Sequence, residues 1–290
     1  MGYSFWTGGI AAKEGFWGPT SSTLNWCEED YVLTPYVAEF WNSTSNVFFL
    51  ALAWLGLRTL QKLEAREMRH YVALWSLILV AIGSILFHGT LWYSYQMLDE
   101  LPMIVNACII IFCALQVFPD SARTKVPLAL ALSTYAFATT AIYLHIKSPE
   151  FLALSHGSLT AFLAYILPRQ ILRLARDDPR TTDALRLRGL WKLNYWTLYA
   201  YLIGGAFWGT ENALCSALRK GREAVGSPFG FLLEFHVWWH LFAALGSYGV
   251  ILLVVYLRLL ATYRHDVQLK WFRHVFPMLE SSRSVGKKAV

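Results

Sequence analysis

His236 and His240 stand four residues apart in EFHVWWHLF, as do Ser84 and His88 in GSILFHG. On a helix each pair shares one face. Two imidazoles at that spacing can bind one ion, and His88 can supply a third nitrogen. Three histidines plus water is the arrangement of a catalytic zinc, whose bound water has its pKa lowered to about 7. Val237 stands where an HExxH metalloprotease has its glutamate, so the base must come from elsewhere, and Asp99 in QMLDELPM is the best-placed carboxylate. Ser84, one turn before His88, can donate to the oxyanion that develops on an attacked carbonyl. A plainer reading stays open, with Asp99 as a helix N-cap, Pro102 in the first turn and His88 as a hydrogen-bonded packing residue. His70, His145, His156, His265 and His274 lack a comparable setting and read as loop or packing residues.

These groups sit in a chain of 290 residues that is 56% hydrophobic and only 15% charged, against roughly a quarter charged in a soluble domain. The composition is that of an integral membrane protein. Tyr71 to Phe87 and Leu101 to Phe118 contain no charge, and each is close to the ~20 residues that cross a bilayer. Seven apolar segments are expected: Tyr36 to Leu57, Tyr71 to His88, Leu98 to Phe118, Val126 to Leu144, Phe151 to Leu167, Leu193 to Trp208 and Leu233 to Leu257. The fold class is therefore all-α, a seven-transmembrane-helix bundle. Residues 1–36 form a polar N-terminal segment, 37–260 the membrane domain and 261–290 a tail. The opening residues lack a basic stretch followed by an apolar run, so the first spanning segment is expected to direct targeting. The net charge of +6 does not mark a nucleic-acid partner, because the basic residues are spread over short loops.

Their distribution sets the orientation. Four Lys and Arg lie between the first two segments, two between the third and fourth, seven between the fifth and sixth and seven after the last, 20 of the 25 in the chain. Positive-inside then puts the N-terminus outside or in the lumen and the C-terminus in the cytosol. His88, Asp99, His236 and His240 all reach the exoplasmic half of the bilayer. Ionisable groups there are costly and mark a functional site.

At these residues the chain resembles the alkaline ceramidases, within the larger group of seven-helix membrane hydrolases that includes the adiponectin-receptor-like proteins. GFWGPTSSTLNWCEEDY, AEFWN, the Ser-x3-His with QMLDELPM, and FHVWWHLFAALGSY carry the resemblance over most of the chain. It implies a zinc-dependent amidase cleaving membrane-embedded ceramide to a sphingoid base and a fatty acid, with His88, His236 and His240 as zinc ligands, Asp99 activating or orienting the water and Ser84 assisting the carbonyl. It also implies a calcium site near the N-terminus. Asn25, Glu28, Asp30 and Glu39 with the Trp26 carbonyl offer the hard oxygens Ca2+ takes. Asn25 and Asp30 stand exchanged relative to the family pattern, which leaves the carboxylate count unchanged. Cys27 and Cys215 share the exoplasmic side, where an oxidising lumen permits a bridge, and the resemblance agrees with that pairing. Lys287 and Lys288 in the terminal KKAV resemble a dilysine retrieval signal of the endoplasmic reticulum, and a basic tail near anionic lipid would look the same. No obligatory protein partner is evident.

The competing reading is a seven-helix lipid sensor of the adiponectin-receptor-like branch, whose N-in orientation is opposite to the one the basic residues indicate. A retinal protein would need a Schiff-base lysine in the last segment, and Phe235 to Leu257 has none. A divalent-metal transporter would want a polar path across both halves of the membrane.

Overall fold

A computed structural model describes residues 14–178 and 183–282; Lys287 and Lys288 lie outside them. The chain is mostly helical: α1 (Phe40–Ser45), α2 (Val47–Lys62), α3 (Met68–Thr90), α4 (Tyr93–Leu115), α5 (Lys125–Ile146), α6 (Pro149–Asp177), α7 (Ala184–Val225) and α8 (Phe235–Ala261). Among the described residues five stretches are long and apolar enough to cross a membrane: Met68–Thr90, Tyr93–Leu115, Pro119–Ile146, Pro149–Asp177 and Phe235–Ala261. The first expected segment is divided at Asn46 into α1 and α2. The sixth lies inside the much longer α7, which is kinked at Leu214.

The all-α expectation is corrected after α8. Strands β1 (Val267–Phe272) and β2 (Phe276–Ser281) pair antiparallel. In VQLKWF alternate residues turn inward, the period of a strand with one covered face, and Val267 and Leu279 are buried. The hairpin closes the end of the bundle opposite the histidines, with the Tyr248 hydroxyl donating to the Pro277 carbonyl at 3.1 Å.

α8 is the most enclosed of the five candidate spans and α5 the least. Val126, Leu130 and Phe137 of α5 are exposed, an outward apolar face suited to lipid rather than water. The α5–α6 connection is tight because Lys147 takes a left-handed conformation and the Ser148 hydroxyl accepts from the Phe151 amide to start α6.

Between α3 and α4 only Leu91 and Trp92 intervene, with Leu91 at φ 54°. For a leucine that conformation is costly, and two contacts hold it. Its side chain is fully buried, and its carbonyl accepts from the amides of Ser21 and Ser22. The N-terminal segment thus lies across this end of the bundle. Ser21 Oγ accepts from the Tyr93 amide at 2.9 Å, satisfying a first-turn donor that α4 leaves unpaired. α4 therefore begins five residues before the expected Leu98, and Asp99 is a helix-interior residue rather than a cap.

Candidate metal centre

His88 lies in the last turn of α3, while His236 and His240 lie one turn apart at the start of α8. The fold brings one nitrogen of each within 4.8 Å of the others. All three rings are buried, His88 completely. The opposite nitrogen of each ring is held. His88 Nδ1 bonds to the Glu39 carboxylate, His236 Nδ1 to Glu211 Oε2 at 2.9 Å, and His240 Nδ1 to Ser45 Oγ at 2.7 Å. Each Nε2 is thereby left for the shared centre, and among the described residues His88 Nε2 is buried with no hydrogen-bond partner. Three imidazoles oriented by outer partners are the donor set zinc takes, so these residues fit that ion.

Ser84 and Asp99 join the histidines through a close approach of α3 and α4. Gly83 permits it: a Cβ there would stand 2.0 Å from the Leu98 carbonyl oxygen. The Ser84 hydroxyl, near Asp99, is buried with no hydrogen-bond partner among the described residues. Both border a cavity of about 510 Å3, together with His236, His240, Glu100 and His156. Most of the remaining wall is apolar, including Leu77, Val80 and Leu152. That volume is in the range of a small-molecule site. Ala161 and Ala164 of α6 and Leu202 of α7 line the cavity and are also exposed, so it reaches the outer face of the bundle between those helices.

The N-terminal segment forms the roof. Trp26 borders the cavity and its ring lies 4.2 Å from that of His236, centroid to centroid. Cys27 is disulfide-bonded to Cys215. Arg219 Nε and Arg222 Nη2 both donate to the Cys27 carbonyl, at 2.8 and 2.6 Å. These arginines, loop charges in the sequence reading, lie on the extension of α7 and tie down the roof.

The acidic residues of this segment divide between two tasks. Glu28 accepts from the backbone amides of Trp41 and Asn42 at 2.7 and 2.8 Å. Burial pushes its carboxyl well above the ordinary carboxylate range, Glu234 and Glu39 add to the rise, and the two amides pull it back. Asp30 Oδ2 accepts from Asn25 Nδ2 at 2.9 Å, while among the described residues Asn25 Oδ1 is buried without a hydrogen-bond partner. Glu39 instead reaches the histidine cluster through His88, and it also accepts from the Trp26 amide at 2.9 Å and from Asn42 Nδ2 at 3.2 Å. Asn42, the first residue of an N-x-T sequon, is fully buried and leaves no room for a glycan. Among the described residues the acidic side chains do not converge as tightly as the histidines.

Glu211 and Ser45 do not stand out as site residues in the sequence reading. Glu211 carries a signal all the same: it is the only charged residue between Lys192 and Arg219. Glu211 Oε1 also accepts from the Cys27 amide at 3.3 Å, so one carboxylate joins the roof to a histidine.

The sequence has relatives among known proteins. The family model described as Ceramidase matches residues 18–280. Alkaline ceramidase 3 of Mus musculus is 37% identical over 93% of this chain and 97% of its own length. An alkaline ceramidase of Saccharomyces cerevisiae is 30% identical over 96% of this chain and 90% of its own length. One of Arabidopsis thaliana is 29% identical over 91% and 94% respectively.

Proposed function

The chain belongs to the ceramidase family and is a hydrolase of that class; from that premise we propose that it cleaves the amide of ceramide at a zinc centre held by His88, His236 and His240. The carrying observation is the convergence of three buried imidazoles, two of which, His236 and His240, also line a largely apolar, outward-reaching cavity. Zinc bound there supplies Lewis acidity and a water acidic enough to deprotonate near neutral pH. Asp99 takes the proton from the attacking water and delivers it to the amine nitrogen as the C–N bond breaks. Ser84 Oγ donates to the carbonyl oxygen as it gains charge. Glu39, Glu211 and Ser45 hold the imidazoles in orientation, and the apolar walls take the hydrocarbon chains.

Calcium in the N-terminal segment is part of the same reading. Asn25, the Trp26 carbonyl, Glu28, Asp30 and Glu39 are its donors, and what supports them is chemical. Buried carboxylates that repel one another call for a cation, and a carboxylate has room for about four contacts, so Glu39 can serve both His88 and a second ion. We further propose seven crossings, counting α1–α2 and α7, with the N-terminus exoplasmic and residence in the endoplasmic reticulum.

Zinc content and sphingoid-base release, measured on the same purified preparations, test the function. Wild type should carry zinc and turn over ceramide. His236→Ala should lose both. Asp99→Asn should keep zinc and lose ~10²–10⁴ in turnover, and Ser84→Ala should keep zinc and lose ~10²–10³. A zinc-loaded wild type inert toward a panel of ceramides would leave the sensor reading in its place.

A further inference from the structure

Beside Asp99 the cavity contains a second carboxylate that this chemistry does not use. Glu100 is buried in the wall, and three parts of the chain hold it. Its Oε2 accepts from the Tyr143 hydroxyl of α5 at 2.6 Å and from Gln96 Nε2 of α4 at 3.2 Å. Gln96 is in turn fixed by the roof, its Oε1 accepting from the Thr23 amide at 2.8 Å. Both bonds to Glu100 go to Oε2. A carboxylate kept in a largely apolar wall is costly unless its oxygens are satisfied. Here one oxygen is clamped, and the residue borders the cavity.

Resting on the ceramide reading above, we propose that Glu100 is a substrate-specificity residue whose Oε1 accepts a hydrogen bond from a hydroxyl of the sphingoid base on a carbon next to the amide-bearing carbon. The neighbouring wall is mostly hydrocarbon, so an acceptor there selects a donor on the substrate. With the scissile amide at the histidine centre, the hydroxyls on the carbons two bonds from its nitrogen are the donors that can reach a residue adjacent to Asp99. Tyr143 and Gln96 position Glu100 and do not touch the substrate.

The test is the ratio of kcat/KM for ceramide to that for its 1-deoxy and 3-deoxy analogues, a ratio that does not depend on how much of a variant folds. Wild type should favour ceramide over the analogue lacking the contacted hydroxyl by roughly 5- to 100-fold, the range for leaving a buried acceptor without its partner. Glu100→Ala should bring that ratio close to one, Glu100→Gln should give an intermediate value, and Tyr143→Phe should retain most of it. The same ratio read as Kd on zinc-stripped protein tests Glu100 without turnover, so a failure of the ceramidase reading stays separate. Equal ratios in wild type and Glu100→Ala for both analogues, by turnover and by binding, would overturn the proposal.

Discussion

Gly83 and Leu98 meet backbone to backbone, so that a Cβ on Gly83 would stand 2.0 Å from the Leu98 carbonyl oxygen and 2.8 Å from the Asp99 nitrogen. Pro102 contributes from the other side: lacking an N–H, it leaves that carbonyl without the donor a helix normally provides. The contact lies one residue from Ser84 on α3 and one from Asp99 on α4, so separation of the backbones moves both groups. Misplacement by about 1 Å can cost ~10² in rate. Gly83→Ala should therefore lower turnover by about that factor. Gly209→Ala, where no atom lies within 4 Å of the added carbon, should leave it unchanged. Wild-type turnover in Gly83→Ala would show that the two helices yield without disturbing the site.

Glu211 offers a test of the outer partners. Its bond to His236 Nδ1 fixes which ring nitrogen faces the centre, and loss of such a partner typically costs 10–100-fold in metal affinity. Glu211→Gln should lose zinc to a competing chelator at roughly that much lower chelator activity. Unchanged zinc affinity would reduce Glu211 to a support for the Cys27 amide.

The histidines are legible in the sequence because a four-residue spacing survives in any helix and because polar side chains stand out in uncharged runs. Their partners are not. Glu39 reaches His88 and Ser45 reaches His240 from distant parts of the chain, and no periodicity encodes such a meeting. Asp99 is legible as a residue but not as a helix-interior one, since Tyr93–Met97 resembles a loop until Ser21 and Thr23 satisfy its polar groups. Glu211 escapes notice for a related reason. Hydropathy fades at Trp208 while α7 continues to Val225, held by the disulfide and by arginine contacts with the roof. The hairpin is hidden because a strand pair beyond the last apolar segment carries no membrane signal.

Glu28 makes the stability of the roof depend on pH. Its folded pKa lies above the ordinary 4.5, so between that value and the folded pKa the folded state binds more protons than the unfolded one, and stability falls as pH rises. Below pH 4.5 both states are protonated and the effect vanishes. In calcium-free protein the melting temperature should decline with rising pH through this window, and Glu28→Gln should flatten the decline. Added calcium should restore wild type more than the variant. Parallel melting curves for the two proteins, with and without calcium, would remove Glu28 from the proposed ion site.

Orientation can be tested at the two ends of the bundle. Of the five Lys and Arg assigned to the exoplasmic side, Arg219 and Arg222 are engaged with the Cys27 carbonyl, and Arg222 also pairs with Glu29 and Glu234. Arg222 is only 8% exposed. These charges are held inside the protein and do not face the membrane surface, which sharpens the asymmetry that favours a cytosolic opposite end. The Cys27–Cys215 bridge points the same way, because disulfides persist in oxidising compartments. A glycan acceptor appended to the N-terminus should be modified in cells, whereas one inserted at the exposed turn around Arg273 and His274 should not. Glycosylation at that turn, with an unmodified N-terminus, would invert the bundle and move the histidine centre to the cytosolic half of the membrane.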